Sequence, residues 1–268
     1  DRLGLEVLPL EVMADGKNYR NWLDGREIGF KEFYKLAREG KELKTSAVNT
    51  AAFEEKMEKL LKEGKDILYI GFSAGLSTTY NSGESAAREL REKYPDRKIY
   101  TVDTLAASLG QGMITYYAAK KKEEGATIEE VRDFVESEKL HMCHWFTVDD
   151  LNYLKRGGRI SAATAVVGGM LGITPILNIR DGVVEAAGKS RGRKGAYQWM
   201  EERIKKEPVD TALPVAFGHS DAPAVMAECE EYFRARIPGM TVYESDIGAV
   251  VGTHAGPGCA GIAYFVKE

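Results

Sequence analysis

The sequence predicts an α/β fold in two parts: an N-terminal parallel-sheet α/β domain over residues 1–143 and a C-terminal mixed-sheet α/β domain over residues 144–268. Two observations lead there. In the first half, short apolar runs alternate with segments of helical period, the pattern of a sheet covered on both faces. In the second half, Thr174–Arg180 and Val183–Ala186 flank Asp181-Gly182, the turn chemistry of a β-hairpin, before further helices and strands.

The elements follow in order. Leu3, Leu5 and Val7, then Leu8, Leu10 and Val12, fit extended segments around Pro9. Phe30, Phe33, Tyr34 and Ala37 keep helical spacing. The polar stretch Lys44–Asn49 reads as a loop feeding a helix with Phe53, Met57, Leu60 and Leu61 on one face and Gly64 as its stop. Ile67–Ile70 is a strand, Gly71–Thr79 a Gly/Ser/Thr loop, and Ala87, Leu90 and Tyr94 mark the next helix. A strand (Ile99–Val102) and a helix (Leu105–Glu124) come next. Thr127-Ile128-Glu129-Glu130 then opens another helix as a capping box. His144–Val148 is extended, Leu154–Ser161 basic and glycine-rich, and Ala162–Ile173 small and apolar, suited to close packing or to a pocket wall. The end reads as helix, strand (Leu213–Phe217), helix, strand (Met240–Tyr243), a glycine-rich turn (Gly248–Gly261) and a last strand, Ile262–Val266.

Composition narrows the function. Of 268 residues, 44% are hydrophobic and 29% charged, enough apolar material for a sizeable core. A net charge of -4 argues against a nucleic-acid partner. Cys143, Cys229 and Cys259 are too widely spaced for structural zinc and fit reduced thiols. Neither a membrane-spanning run nor a signal peptide is visible, so a cytoplasmic location is expected.

Gly71-Phe72-Ser73-Ala74-Gly75 matches the G-x-S-x-G nucleophile elbow between a strand and a helix. A serine hydrolase would use Ser73, with His254 or His219 as base and Asp221 or Asp246 to orient it. Against this, the loop continues Leu76-Ser77-Thr78-Thr79, and nothing resembles the oxyanion segment of such enzymes. The hydroxyls of Ser77 and Thr78, with those of Thr45 and Ser46 in the preceding loop, could instead converge on one anion at a helix N-terminus. The plainer account, a single capping hydroxyl, explains one of them. Gly256–Gly261 satisfies G-x-G-x-x-G but precedes a strand rather than a helix, so it is not read as a dinucleotide site. Arg159 could close on a carboxylate in bidentate fashion. Arg191, Arg193 and Lys194 form a second basic cluster, either a solvated face or a docking surface. A binding module for another anionic metabolite remains an alternative at this point.

Taken together the strings resemble the DegV family almost from end to end: Leu8-Pro9-Leu10, Asp15-Gly16-Lys17, Thr45-Ser46, Phe72–Tyr80, Val102-Asp103-Thr104, Leu154–Ile160 and Gly252–Gly258. The resemblance implies a tunnel between two α/β domains that holds one long-chain fatty acid of the palmitate, stearate or oleate type, with no other cofactor and no catalysis by the chain itself. It implies a similarity to the fatty-acid-binding subunit of bacterial fatty acid kinase. That subunit presents the acyl carboxylate to a separate ATP-using kinase subunit, which makes an acyl phosphate for phospholipid synthesis; transient membrane contact fits that role. By motif match Thr45, Ser77, Arg159 and His254 would hold the carboxylate. Ser46 and Thr78 join them as neighbours, and Arg191, Arg193 and Lys194 would face the kinase. The family opens with a strand and an Asp-Ser-Thr segment that precede the first residues here, so that strand is expected to be missing. The sequence also departs from the family at Thr78, where glycine is usual, and at Ala47-Val48, where Gln-Pro commonly follows.

Physics agrees with such a ligand. Each buried methylene contributes about 0.8 kcal/mol, while a carboxylate removed from water must be hydrogen-bonded or paired.

Overall fold

The computed structural model describes residues 3–161 and 172–267. The small apolar run therefore lies, but for Gly172 and Ile173, outside the described residues.

The chain opens with an antiparallel hairpin, β1 (Glu11–Ala14) and β2 (Lys17–Arg20). Its turn is Asp15-Gly16, at φ 51° and 78°; two successive positive φ values are the chemistry of a type I′ turn. Helix α1 (Phe30–Arg38) follows, and β3 (Leu43–Ser46) returns to pair antiparallel with β1. The stretch read as a polar loop is thus an edge strand, and this first sheet is antiparallel, order β2-β1-β3. Helix α2 (Thr50–Lys62) is capped by Asn49, whose side chain accepts from the Ala52 amide at 2.9 Å.

Parallel pairing in the first half is confined to β4 (Ile67–Gly71) and β5 (Ile99–Asp103). Helix α3 (Thr79–Lys93) connects them, and α4 (Ser108–Glu123) and α5 (Ile128–Glu138) follow. The capping box at Thr127 forms with both of its bonds.

The second half builds a six-stranded sheet, order β10-β9-β11-β6-β7-β8. Its strands are β6 (Met142–Thr147), β7 (Ile173–Arg180), β8 (Val183–Arg191), β9 (Val215–His219), β10 (Val242–Asp246) and β11 (Ala260–Phe265). Only β9 and β10 run parallel, so the sheet is mixed. Asp181-Gly182 makes the expected hairpin turn, at φ 49° and 79°. Among the described residues four helices accompany the sheet: α6 (Asn152–Arg156), α7 (Gly192–Ile204), α8 (Pro223–Arg234) and α9 (Ala249–Ala255). The glycine-rich segment read as a turn thus contains α9.

Because side chains alternate along a strand, the sheet has two unlike faces. Trp145, Phe217, Ile262 and Tyr264 point to one face and form a core with Tyr197, Met200 and Phe233 of α7 and α8. Met142, Ala216, Ala263 and Phe265 point to the other and pack with Met113 and Ile114 of α4 and Val131 of α5. The second face therefore meets elements from the first half of the chain. Among the described residues no helix is long and apolar enough to cross a membrane.

Candidate functional site

Where the second face of the large sheet meets the loops after β3, β4 and β5, a cavity of about 320 Å³ remains. Its walls are mainly apolar: Leu10, Phe72, Leu76, Leu109, Phe146, Ile179, Val184, Ile247 and Val251 among them. Gly218, Gly261 and Ala263 keep the sheet side of the cavity free of bulky side chains. All six residues expected at the carboxylate, Thr45, Ser46, Ser77, Thr78, Arg159 and His254, lie on this wall.

The residues are linked. Thr45 Oγ1, on β3, is 3.0 Å from His254 Nε2, on α9. Arg159 Nε donates to the Leu76 carbonyl at 3.0 Å, next to Ser77. Ser77 Oγ accepts from the Thr79 amide at 3.2 Å and lies 2.9 Å from Thr79 Oγ1. Thr79 Oγ1 in turn accepts from the Val48 amide at 3.3 Å, which fastens the start of α3 to the segment after β3. Thr79 is buried and was not singled out in the sequence; its signal was the third hydroxyl of Ser77-Thr78-Thr79. Ser46 and Thr78 are exposed at the edge of the group. Thr78 occupies the N-cap of α3 yet makes no capping hydrogen bond; the hydroxyl that meets the first amide of the helix is that of Ser77.

Local sequence sets each position. Gly157 leaves room for the His254 ring, which lies where its Cβ would be. Gly158, at φ 70°, turns the chain so that Arg159 follows α6 back toward Leu76. Gly252 faces the Tyr34 hydroxyl, which donates to the Ile247 carbonyl at 2.6 Å and seats α9 against α1.

Burial and, second to it, the nearby Arg159 cation hold His254 down at about pKa 4, so its ring is neutral near neutral pH. Its Nδ1 is buried without a hydrogen-bond partner among the described residues. The group as a whole offers hydroxyls, one neutral imidazole and one guanidinium at the edge of an apolar cavity. Such a set matches a carboxylate whose remainder is hydrocarbon.

Ser73 is placed otherwise than a hydrolase requires. It is fully buried, and its hydroxyl donates to the Gly182 carbonyl at 2.6 Å while accepting from the Gly75 amide at 3.2 Å. His254 is engaged with Thr45, and His219 lies 3.5 Å from Asp246. The glycine of the elbow has a packing reason, since a Cβ on Gly75 would stand 2.6 Å from the Gly182 carbonyl oxygen. Asp103 braces the loop, accepting from the Ala74 and Leu105 amides at 3.2 and 3.0 Å.

The basic cluster divides. Arg193 turns inward to Thr147 (2.8 Å), the Gly258 carbonyl (2.9 Å) and the Asp149 carboxylate, a correction to its expected outward role. Arg191 and Lys194 remain exposed.

A family model described as an uncharacterised protein of the DegV family matches residues 1–267. The chain belongs to the DegV family. A DegV domain-containing protein of Clostridium perfringens is 40% identical over 264 residues, covering 98% of this chain and 90% of the relative. Among solved structures, a DegV family protein from Thermus thermophilus, described for its fatty acid binding, superposes with a TM-score of 0.88 at 33% identity, covering 99% of this chain and 93% of that one. A Thermotoga maritima protein whose structure is described as revealing fatty acid binding function gives a TM-score of 0.84 at 30% identity, covering 99% and 93%. The two-part α/β architecture is thus that of DegV structures.

Proposed function

We propose that this DegV chain binds one long-chain fatty acid of the palmitate, stearate or oleate type and presents its carboxylate to a separate ATP-using kinase subunit, without turnover of its own. The observation that carries the reading is the convergence of Thr45, Ser77, Arg159 and His254 on one apolar cavity. The cavity falls at the lower end of small-molecule pocket sizes, and its walls would bury the acyl chain. Two relatives with the same architecture are described as fatty acid binders. Exposed Ser46 and Thr78 leave the polar group within reach of a partner, and exposed Arg191 and Lys194 offer it a basic surface. A division near Cys143 falls just inside β6 (Met142–Thr147), the first strand of the large sheet along the chain, and that supports a boundary at this strand. A cytoplasmic site of action, supplying acyl phosphate for phospholipid synthesis, follows from the same reading.

Native mass spectrometry of the purified protein, then solvent extraction, tests the binding step. A stoichiometric fatty acid released on denaturation is the expected result; a protein that is empty and takes up neither palmitate nor oleate would overturn it. The presentation step is tested with a purified fatty acid kinase subunit and ATP. Acyl phosphate, trapped as its hydroxamate, should form only when both proteins are present and should fall in an Arg191→Ala, Lys194→Ala double variant.

A further inference from the structure

The carboxylate group uses one polar region of the cavity; a second is unaccounted for. His144, on β6, is 7% exposed, and among the described residues neither Nδ1 nor Nε2 has a hydrogen-bond partner. It nevertheless lines the cavity. By strand alternation it points to the face of Met142, toward α4, where its ring occupies the space a Cβ on Gly110 would need. Burial pushes the imidazole down to about pKa 4, so the ring is neutral and carries one donor and one acceptor. The Ala107 backbone lies near enough to the ring to oppose that shift, while neither ring nitrogen gains a hydrogen bond of ordinary geometry from it.

Beside this ring α4 begins. Its N-cap is Ala107, with no capping side chain, so its first amides lack a side-chain acceptor. Ala107, Ser108 and Leu109 line the same cavity. The place is built from other elements than the carboxylate group: β6 and α4, against β3, the loop after β4, the turn after α6, and α9. Thr147 pairs with Ala260 where β11 begins, shortly after His254, whereas His144 pairs with Ala263. Three residues of strand span about 10 Å, so His144 lies that far along β6 from Thr147, where it faces the start of α4.

We infer that His144 and the start of α4 form a second polar subsite, which takes a hydroxyl borne on the acyl chain and makes hydroxylated long-chain fatty acids the preferred ligand class. The inference rests on the reading that the cavity holds a fatty acid. A plain methylene chain leaves the donor and acceptor of His144 unmet, and unmet buried polar groups are what let a site discriminate strongly. A hydroxyl meets both kinds of group: it accepts from an N–H of the helix start or the ring and donates to the unprotonated ring nitrogen.

The test is displacement of a fluorescent fatty acid from the delipidated protein by octadecanoic acid and by its isomers hydroxylated at successive carbons from mid-chain to the end. At least one isomer should bind about tenfold more tightly than the plain acid, and His144→Leu should remove that preference. Tight binding of octadecanoic acid with no gain for any isomer would overturn the His144 assignment alone, whether or not the variant folds. Failure of wild type to bind any acid, plain or hydroxylated, would overturn the fatty acid reading itself. A preference that survives in folded His144→Leu would move the subsite away from this ring.

Discussion

Thr45 Oγ1 and His254 Nε2 stand 3.0 Å apart although 209 residues separate them in the chain. The pair joins the first sheet to α9 and fixes the orientation of the imidazole. Thr45→Val keeps the shape of the side chain and suits a strand, but it leaves Nε2 as unpaired as Nδ1 already is. Loss of a partner for a buried polar group costs about 1–3 kcal/mol. Urea unfolding should show that loss, and fatty acid retention by mass spectrometry should fall about tenfold or more. Retention equal to wild type would remove Thr45 from the headgroup set.

Acid should weaken the fold through two histidines. His144 and His254 are each held at about 4 by burial, aided at His254 by Arg159, against 6.5 for an ordinary histidine. Between those values the unfolded chain binds more protons than the folded one, so stability is full above the higher value and falls as pH drops toward the lower. For fully buried His144 the opposition to charging is worth roughly 3 kcal/mol. Urea midpoints should therefore decline from neutral pH to about pH 4, and His144→Leu should flatten part of that decline. Parallel profiles for wild type and variant would show that His144 is not the source.

Adjacent glycines should behave differently. A Cβ at Gly157 would overlap the His254 ring, whereas Gly158 faces open space at φ 70°. Gly158→Ala should cost about 1 kcal/mol of backbone strain and leave retention intact. Gly157→Ala should displace the imidazole and reduce retention beyond any change in stability. Thermal unfolding beside lipid extraction separates the two, and equal retention in both variants would count against the placement of His254.

A fluorophosphonate should leave the native protein unlabelled, because Ser73 is fully buried and its hydroxyl is spent on Gly182. Ser73→Ala should instead reduce stability by about 1–3 kcal/mol. Labelling of Ser73 in the folded protein, lost on denaturation, would restore the hydrolase reading.

What the sequence discloses here follows how local its cause is. The Asp181-Gly182 hairpin and the Thr127 capping box were legible because neighbouring residues complete them. The strand β3 was not: it is four residues long, carries Lys44, Thr45 and Ser46, and exists through pairing with Glu11–Ala14, about thirty residues earlier. Helix α9 was hidden by composition, since Val250, Val251, Gly252 and Thr253 are poor helix formers held by packing against α1. The headgroup residue types were legible through motif resemblance, but their convergence belongs to the tertiary fold. Thr79 was not singled out and His144 was given no role because burial, not spacing, gives them their interest.

The bond from Ser73 to Gly182 joins a loop and a hairpin tip that are 109 residues apart. Contact there is close because Gly75 and Gly182 have no side chains to hold the surfaces apart. The two lips of this seam meet at backbone distance, with little slack to stretch, so separating them even slightly breaks the contact outright. Cavity walls come from both sides of the seam. A bound molecule thus reports on the assembly of the whole chain: by mass action it stabilises only the closed form, and a protein parted along this line has lost its binding site before any helix has melted.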